Sequence, residues 1–186
     1  MQAMLGFTSW AGWLRDGDGM SYQVTVEEVR ARPTAVVAAT TTWAEFPALW
    51  GTLLDDVWTS VRAAGVAAGC RTVMLYLDDV PNVQVGVTLR EPCPLTGHVV
   101  ASALPAGVVA RTVHRGPYTA LAGAHQAVVD RCAAAGLHLA GPRWEIYGDH
   151  RDDPADLETE IYWLLSAPVD SGAVSAAAAM SNRSVT

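Results

Sequence analysis

The chain has 186 residues, 51% of them hydrophobic, enough for one domain of ordinary size or one made of two fused halves with a core of its own. Its formal charge is −7 and its 12 basic residues are all arginine, scattered without a run, so there is no electrostatic footprint for nucleic acid or for an anionic membrane. The lack of lysine removes Schiff-base chemistry and phosphate-loop lysines. Three cysteines, Cys70, Cys93 and Cys132, at no metal-ligand spacing point to neither a disulfide framework nor a zinc site. With no leader-like N-terminus and no apolar run near the roughly 18 residues that span a bilayer, the expected location is the cytoplasm.

Residues 1–19 hold Trp10, Trp13 and Asp16-Gly17-Asp18-Gly19, and read as an N-terminal arm. A single domain is expected over 20–167. It opens with an extended segment from Val24 to Val29, crosses Arg32-Pro33, and resumes over Thr34 to Thr42, rich in the Val and Thr that strands favour. From Ala44 to Ala64, Phe46, Leu49, Trp50, Leu53, Val57, Trp58 and Val61 recur at three- and four-residue steps, which predicts a helix stopped by Gly65. A hairpin follows, Thr72 to Leu77 and Val83 to Leu89. The order then repeats: Val99 to Val113 extended with a break near Pro105-Ala106-Gly107, and a helix from Tyr118 to Ala135 with Leu121, His125, Val128, Val129, Cys132 and Ala135 as its stripe. Gly136 ends that helix, and strands over Trp144 to Tyr147 and Thr159 to Leu165 close the unit. The tail from 168 to 186 is small and polar and reads as mobile.

Two stretches match at an offset of 71 residues: Ala63-Ala64-Gly65 with Tyr76, and Ala134-Ala135-Gly136 with Tyr147. The expected fold is therefore α+β, with tandem strand-helix-strand-strand units, copy one near 22–90 and copy two near 97–167. These would be related by pseudo-twofold symmetry, each sheet covered by one long helix, with a ligand cleft between the halves. In this alignment Met74 corresponds to Glu145 and, allowing a loop five residues longer in copy two, Gln84 to Glu160, so at these positions only the second copy carries carboxylates.

Strand alternation assigns Trp144, Ile146, Ile161, Trp163 and Leu165 to a helix-covered face, with Glu145, Tyr147, Glu160, Tyr162 and Leu164 opposite. In copy one it assigns Val73, Leu75, Val83, Val85 and Val87 to the core, with Met74, Tyr76, Gln84, Gly86 and Thr88 opposite. Glu145 and Glu160 are then expected to share a cleft walled by Tyr147, Tyr162 and Tyr76. A carboxylate beneath aromatic walls suits an organic cation, each cation–π contact being worth about 0.5–2 kcal/mol. Two carboxylates near an apolar site also suit general acid–base work, and a plain solvated sheet face is the other alternative. His114, in the His114-Arg115-Gly116-Pro117-Tyr118 loop entering the second helix, is either a proton donor or a hydrogen-bonding loop residue; His125 reads as a packed histidine. The acidic run from Asp149 to Glu160 lacks calcium-loop spacing. No nucleophile elbow, Cys/His pair or glycine-rich phosphate loop is present.

His114-Arg115-Gly116-Pro117-Tyr118, Ala135-Gly136-Leu137 with Gly141-Pro142, Trp144-Glu145-Ile146-Tyr147 and Thr159-Glu160-Ile161-Tyr162, in this order, resemble the GyrI-like small-molecule-binding family, which includes effector domains of AraC- and MerR-type regulators. The resemblance covers roughly Tyr22 to Leu165. It implies a cleft for bulky, lipophilic, often cationic aromatic compounds, with Glu160 as the buried acid and Tyr147 and Trp144 in its aromatic wall. The ligand-binding set expected on these grounds is Glu160, Glu145, Tyr147, Tyr162, Trp144, Tyr76, Met74, Tyr118 and His114. Neither a cofactor nor a metal is expected; haem-binding relatives exist, but neither His114 nor His125 is placed as an axial ligand. The first 20-odd residues cannot hold a DNA-binding domain, so the chain reads as a stand-alone member without direct nucleic-acid binding. Such members resemble multidrug-sequestering binders; the alternatives are hydrolases of cyclopropane-containing natural products, with Glu160 or Glu145 as catalytic acid or base, and protein inhibitors of DNA gyrase.

Overall fold

The computed structural model describes residues 22–167. The arm expected over 1–19 and the tail over 168–186 lie outside those residues. Eight strands and two helices follow in the order β1 (Thr25–Val29), β2 (Arg32–Thr40), α1 (Phe46–Ala63), β3 (Thr72–Tyr76), β4 (Asn82–Thr88), β5 (Val100–Leu104), β6 (Gly107–Arg115), α2 (Leu121–Ala134), β7 (Leu139–Tyr147) and β8 (Glu158–Leu165). Among the described residues no helix is long and apolar enough to cross a membrane.

Helix α1 begins, and both helices end, where local chemistry dictates. Before α1, Thr42 Oγ1 accepts from the Glu45 N–H and donates to its carboxylate, and Pro47 occupies the first turn, where its missing N–H costs nothing. Each helix stops at a glycine with positive φ, Gly65 at 73° and Gly136 at 66°. The Val66 and Leu137 N–H groups then reach back five residues to the Val61 and Cys132 carbonyls, the hydrogen bonding of a Schellman cap.

The strands form one antiparallel sheet in the order β1-β6-β8-β7-β3-β4-β2-β5. Helix α1 packs chiefly on β2 and β4, and α2 on β6 and β8. The central pair, β3 and β7, therefore lies in a valley between the helices. Strand β7 begins at Leu139, five residues earlier than expected, because a register irregularity between Leu139 and Arg143 carries the pairing past Pro142.

The expected faces require a correction. Directly opposed residues of an antiparallel pair share a face, and the pairs are Met74 with Val85, Met74 with Glu145, and Glu145 with Ile161. The helix-covered face thus carries Met74, Tyr76, Val83, Val85, Val87, Glu145, Tyr147, Ile161 and Trp163. Val73, Leu75, Trp144, Ile146, Glu160, Tyr162 and Leu164 point the other way. Glu145 and Glu160 do not share a face, since Glu160 pairs with Ile146. Alternation along each strand is as expected, but β3 and β7 are inverted relative to β4 and β8. The physical reason is that the far face is also apolar: Val73, Leu75, Trp144 and Ile146 are buried there against Leu104, Val109 and Tyr162. A strand buried on both faces gives no signal of which one the helices cover. A smaller correction concerns Ala135, which is exposed at the end of α2.

Gly86 marks the closest approach within the sheet, because a Cβ there would sit 2.0 Å from the Ala35 carbonyl oxygen and 2.8 Å from Val36 Cα, both backbone atoms of β2. Gly51, on α1, has open space around it. Gly86→Ala should therefore lower unfolding free energy by roughly 1–3 kcal/mol or more, as overpacking does, while Gly51→Ala should raise it by about 0.5–1 kcal/mol. Urea denaturation of the two variants checks the opposed signs.

Candidate functional site

The valley floor is built around Glu145, which is only 2% exposed. Its Oε1 accepts from His125 Nε2 at 2.8 Å, from α2. Its Oε2 accepts a short hydrogen bond from the Tyr147 phenol, two residues along β7, and a long one, 3.5 Å, from Tyr76 on β3. Met74, the cross-strand partner of Glu145, places its sulfur 3.5 Å from the Tyr147 hydroxyl and 3.6 Å from that of Tyr76. Tyr118, at the entry to α2, meets the Tyr147 ring edge-on at 5.3 Å, and Phe46 meets Tyr76 edge-on at 6.1 Å. The elements on either side of the valley thus each brace one tyrosine.

The charge of this cluster follows from its donors. Trp163 donates its indole N–H to His125 Nδ1 at 3.0 Å. An indole nitrogen can only donate, so Nδ1 must be an acceptor, and the ring proton sits on Nε2, facing Glu145. An imidazolium would set two N–H groups against each other. His125 is therefore neutral, and the ion pairs of the described residues bring no arginine to Glu145. Burial and the neighbouring carboxylate push both Tyr76 and Tyr147 well above the ordinary phenol value, so both remain donors. Two full hydrogen bonds to a charge contribute about 1.5–3 kcal/mol each, comparable to the roughly several kcal/mol of taking a carboxylate out of water. The donors to this carboxyl group are all neutral, and none of them supplies a countercharge.

Beside it lies a cation. Arg143, on β7 and the same face as Glu145, is 7% exposed, with its guanidinium 4.9 Å from the Trp163 ring centre, 5.4 Å from Tyr76 and 5.8 Å from Trp43. Such contacts are worth about 0.5–2 kcal/mol each. It donates to Asp79 at 3.0 Å, and the Asp79 carbonyl accepts from the Trp43 indole at 3.1 Å.

Glu160 has the opposite environment on the far face. Arg71 bonds its Oε1 at 2.5 Å, Arg111 its Oε2 at 3.2 Å, and Tyr162 donates a short bond to Oε2. Burial works against ionisation, but Tyr162, Arg71 and Arg111 outweigh it and hold this carboxyl below its usual range; the Tyr162 phenol is pushed up to about 12. Arg71 also clasps the backbone carbonyls of Tyr147, at 3.0 Å, and Ile146. Trp144 is stacked on Tyr162 at 5.3 Å.

Of the residues singled out from sequence, Glu145, Tyr147, Tyr76, Met74 and Tyr118 are brought together. Glu160, Tyr162 and Trp144 form a separate cluster behind the sheet. His114, fully buried, stands apart: its Nε2 donates to the Pro117 carbonyl at 3.1 Å and its Nδ1 accepts from Tyr22 at 2.9 Å, closing the loop into α2. His125, Trp163, Arg143 and Trp43 were not in the expected set. For His125 a signal existed, since a polar ring in an apolar helix stripe must find a partner when buried.

Residues 22–166 match the GyrI-like small molecule binding domain, and the chain belongs to that family. Among solved structures it is similar to the C-terminal domain of EcmrR (19% identity, TM-score 0.61, covering 79% of this chain and 99% of that one). Against EcmrR in its DNA complex, at 18% identity and TM-score 0.63, it covers 78% of this chain but spans only 57% of that protein. It is also similar to SAV2435 bound to tetraphenylphosphonium (12% identity, TM-score 0.53, covering 80% and 95%). A hydrolase from Listeria innocua matches at 13% identity and TM-score 0.51, covering 77% and 92%. No curated protein sequence matches the chain. At these identities the likeness concerns the fold.

Acidification should act through His114 and Glu160 with the same sign. Burial lowers the His114 pKa from 6.5, so the unfolded chain takes up a proton first; that contribution is complete above pH 6.5 and is lost as pH falls through the folded value. Glu160, held below 4.5, adds a further loss at lower pH. The urea midpoint should drop between about pH 7.5 and about pH 5.5, and His114→Gln should flatten that slope.

Proposed function

We propose that the valley binds lipophilic organic cations, with Glu145 as the countercharge and Tyr76, Tyr147, Tyr118 and Trp163 as its aromatic surroundings. The observation that carries this reading is a carboxylate buried among apolar and aromatic groups, with neutral donors only. Such a site favours a ligand bringing one positive charge and much apolar surface, because each cation–π contact and the desolvated charge pair gain strength where water is excluded. Resemblance alone favoured Glu160; the geometry favours Glu145, since Glu160 already has two arginines. The bound tetraphenylphosphonium of SAV2435 is in keeping with this chemistry.

We further read the two halves as copies related by a twofold axis through the Met74–Glu145 pair. The offset of 71 residues matches Met74 to Glu145, and these two are direct partners across the central strands. On either side Val73 pairs with Ile146 and Leu75 with Trp144, as an axis through that pair requires.

A second reading, hydrolysis, rests on the His125–Glu145 pair, an imidazole and a carboxylate 2.8 Å apart. It is the weaker one, because the Trp163 indole occupies the ring nitrogen that would have to take up a proton. Incubation with a cyclopropane-bearing alkylating compound, followed by mass spectrometry for added water, separates the two readings.

Tetraphenylphosphonium titrated into the wild type, Glu145→Gln and Glu160→Gln, followed by tryptophan fluorescence, tests the assignment. Glu145→Gln should weaken binding about tenfold or more, equivalent to ~1.4 kcal/mol, and Glu160→Gln should leave it within about twofold. Unchanged affinity in Glu145→Gln removes the countercharge role.

A further inference from the structure

The guanidinium of Arg143 occupies an aromatic cage inside the valley. Its walls come from three separate elements: Trp43 from the loop before α1, Tyr76 from β3 and Trp163 from β8, with the cation 4.9–5.8 Å from the ring centres. Arg143 stands two residues from Glu145 on the same face of β7, yet it pairs with Asp79 and not with that carboxylate. The Asp79 bridge is weak by nature, because that side chain is 66% exposed and water competes for it. The rings therefore hold the head group more firmly than the ion pair does.

The same turn that carries Asp79 also anchors the cage wall, through the bond from the Trp43 indole to the Asp79 carbonyl. The long arginine stem allows the head group to swing toward water along its exposed partner Asp79 while the three rings stay in place. The cage is then vacant beside an uncompensated Glu145.

We propose that Arg143 is a resident cation that competes with the ligand, and so determines how strongly, and for which charge, the site selects: a cationic ligand places its charge where this guanidinium lies, by displacing it. This rests on the reading of the Glu145 valley as a cation site. The competing possibility is that Arg143 merely ties down the turn, in which case its removal would lower stability and leave affinity no higher.

Tetraphenylphosphonium is titrated into the wild type, Arg143→Gln and Arg143→Lys by tryptophan fluorescence. In parallel, methylguanidinium is titrated into the wild type and Arg143→Gln while the indole N–H signals of Trp43 and Trp163 are followed by NMR. Arg143→Gln should bind tetraphenylphosphonium about tenfold tighter than the wild type, and methylguanidinium should shift both indole signals in the variant only. If the wild type binds and Arg143→Gln binds no tighter, the competitor role is overturned while the Glu145 reading stands. If neither protein binds tetraphenylphosphonium, the Glu145 reading fails and methylguanidinium decides alone: variant-specific shifts uphold the cage, and none overturns it. Should Arg143→Gln not fold, Arg143→Lys, which keeps the charge but loses the stacking plane, takes its place; tighter binding than the wild type upholds the proposal, and equal or weaker binding overturns it.

Discussion

Much of this architecture answers to the burial of one carboxylate without a cationic partner. Glu145 sits at the centre of an eight-stranded sheet, where water cannot solvate it, and its charge must be met by groups that the fold aims at it. That requirement fixes the orientation of Tyr147, the rotation of His125 on α2, and, through the His125 ring, the Trp163 indole on β8. It also explains why the central strands lie between the helices. A helix packed directly over β3 and β7 would leave no room for two tyrosines and an imidazole to converge on the same two oxygens.

The sheet separates two solutions to the same electrostatic problem. Behind it, Glu160 is neutralised by Arg71 and Arg111, and its function in the fold is legible from what Arg71 does next: the guanidinium clasps the carbonyls of Ile146 and Tyr147 and holds the end of β7 in place. In front, no arginine pairs with Glu145. The backbone that Arg71 fixes is the backbone whose side chain donates to Glu145, so the acid paired with arginines steadies the one without them. Arg143 is a cation on the front face, seated among aromatic rings and paired with Asp79 and not with Glu145.

Periodicity places α1 within about two residues and α2 within about three, together with the glycines that stop them, because those signals are local. The phase of the central strands was not legible. Along β7 the run Trp144, Glu145, Ile146, Tyr147 alternates correctly, but it buries both of its faces, and nothing in those four residues says which one meets the helices. By inference, the inverted phase of β7 alone puts Glu145 and Glu160 on a common face, while that of β3 turns Met74 and Tyr76 away from the helices. The cross-strand pairs that decide the matter, Glu145 with Ile161 and Met74 with Val85, are contacts between distant parts of the chain. Arg143 is hidden in the sequence for a related reason: it follows the irregularity around Pro142, in a stretch whose turn-like residues mask the strand it belongs to.

On the proposed reading, the division of labour within the valley bears on what a ligand must supply. The carboxylate already has its hydrogen bonds from His125 and Tyr147, so a ligand gains little from donors of its own; what it adds is charge and apolar area. Both are weakly directional, since cation–π attraction tolerates a range of angles and Met74 offers a soft, polarisable floor. A site built this way discriminates by charge and bulk more than by outline. Specificity of that kind needs something to keep casual cations out, and an arginine already seated among the rings supplies it, because only a ligand that offers more than a guanidinium does can take its place.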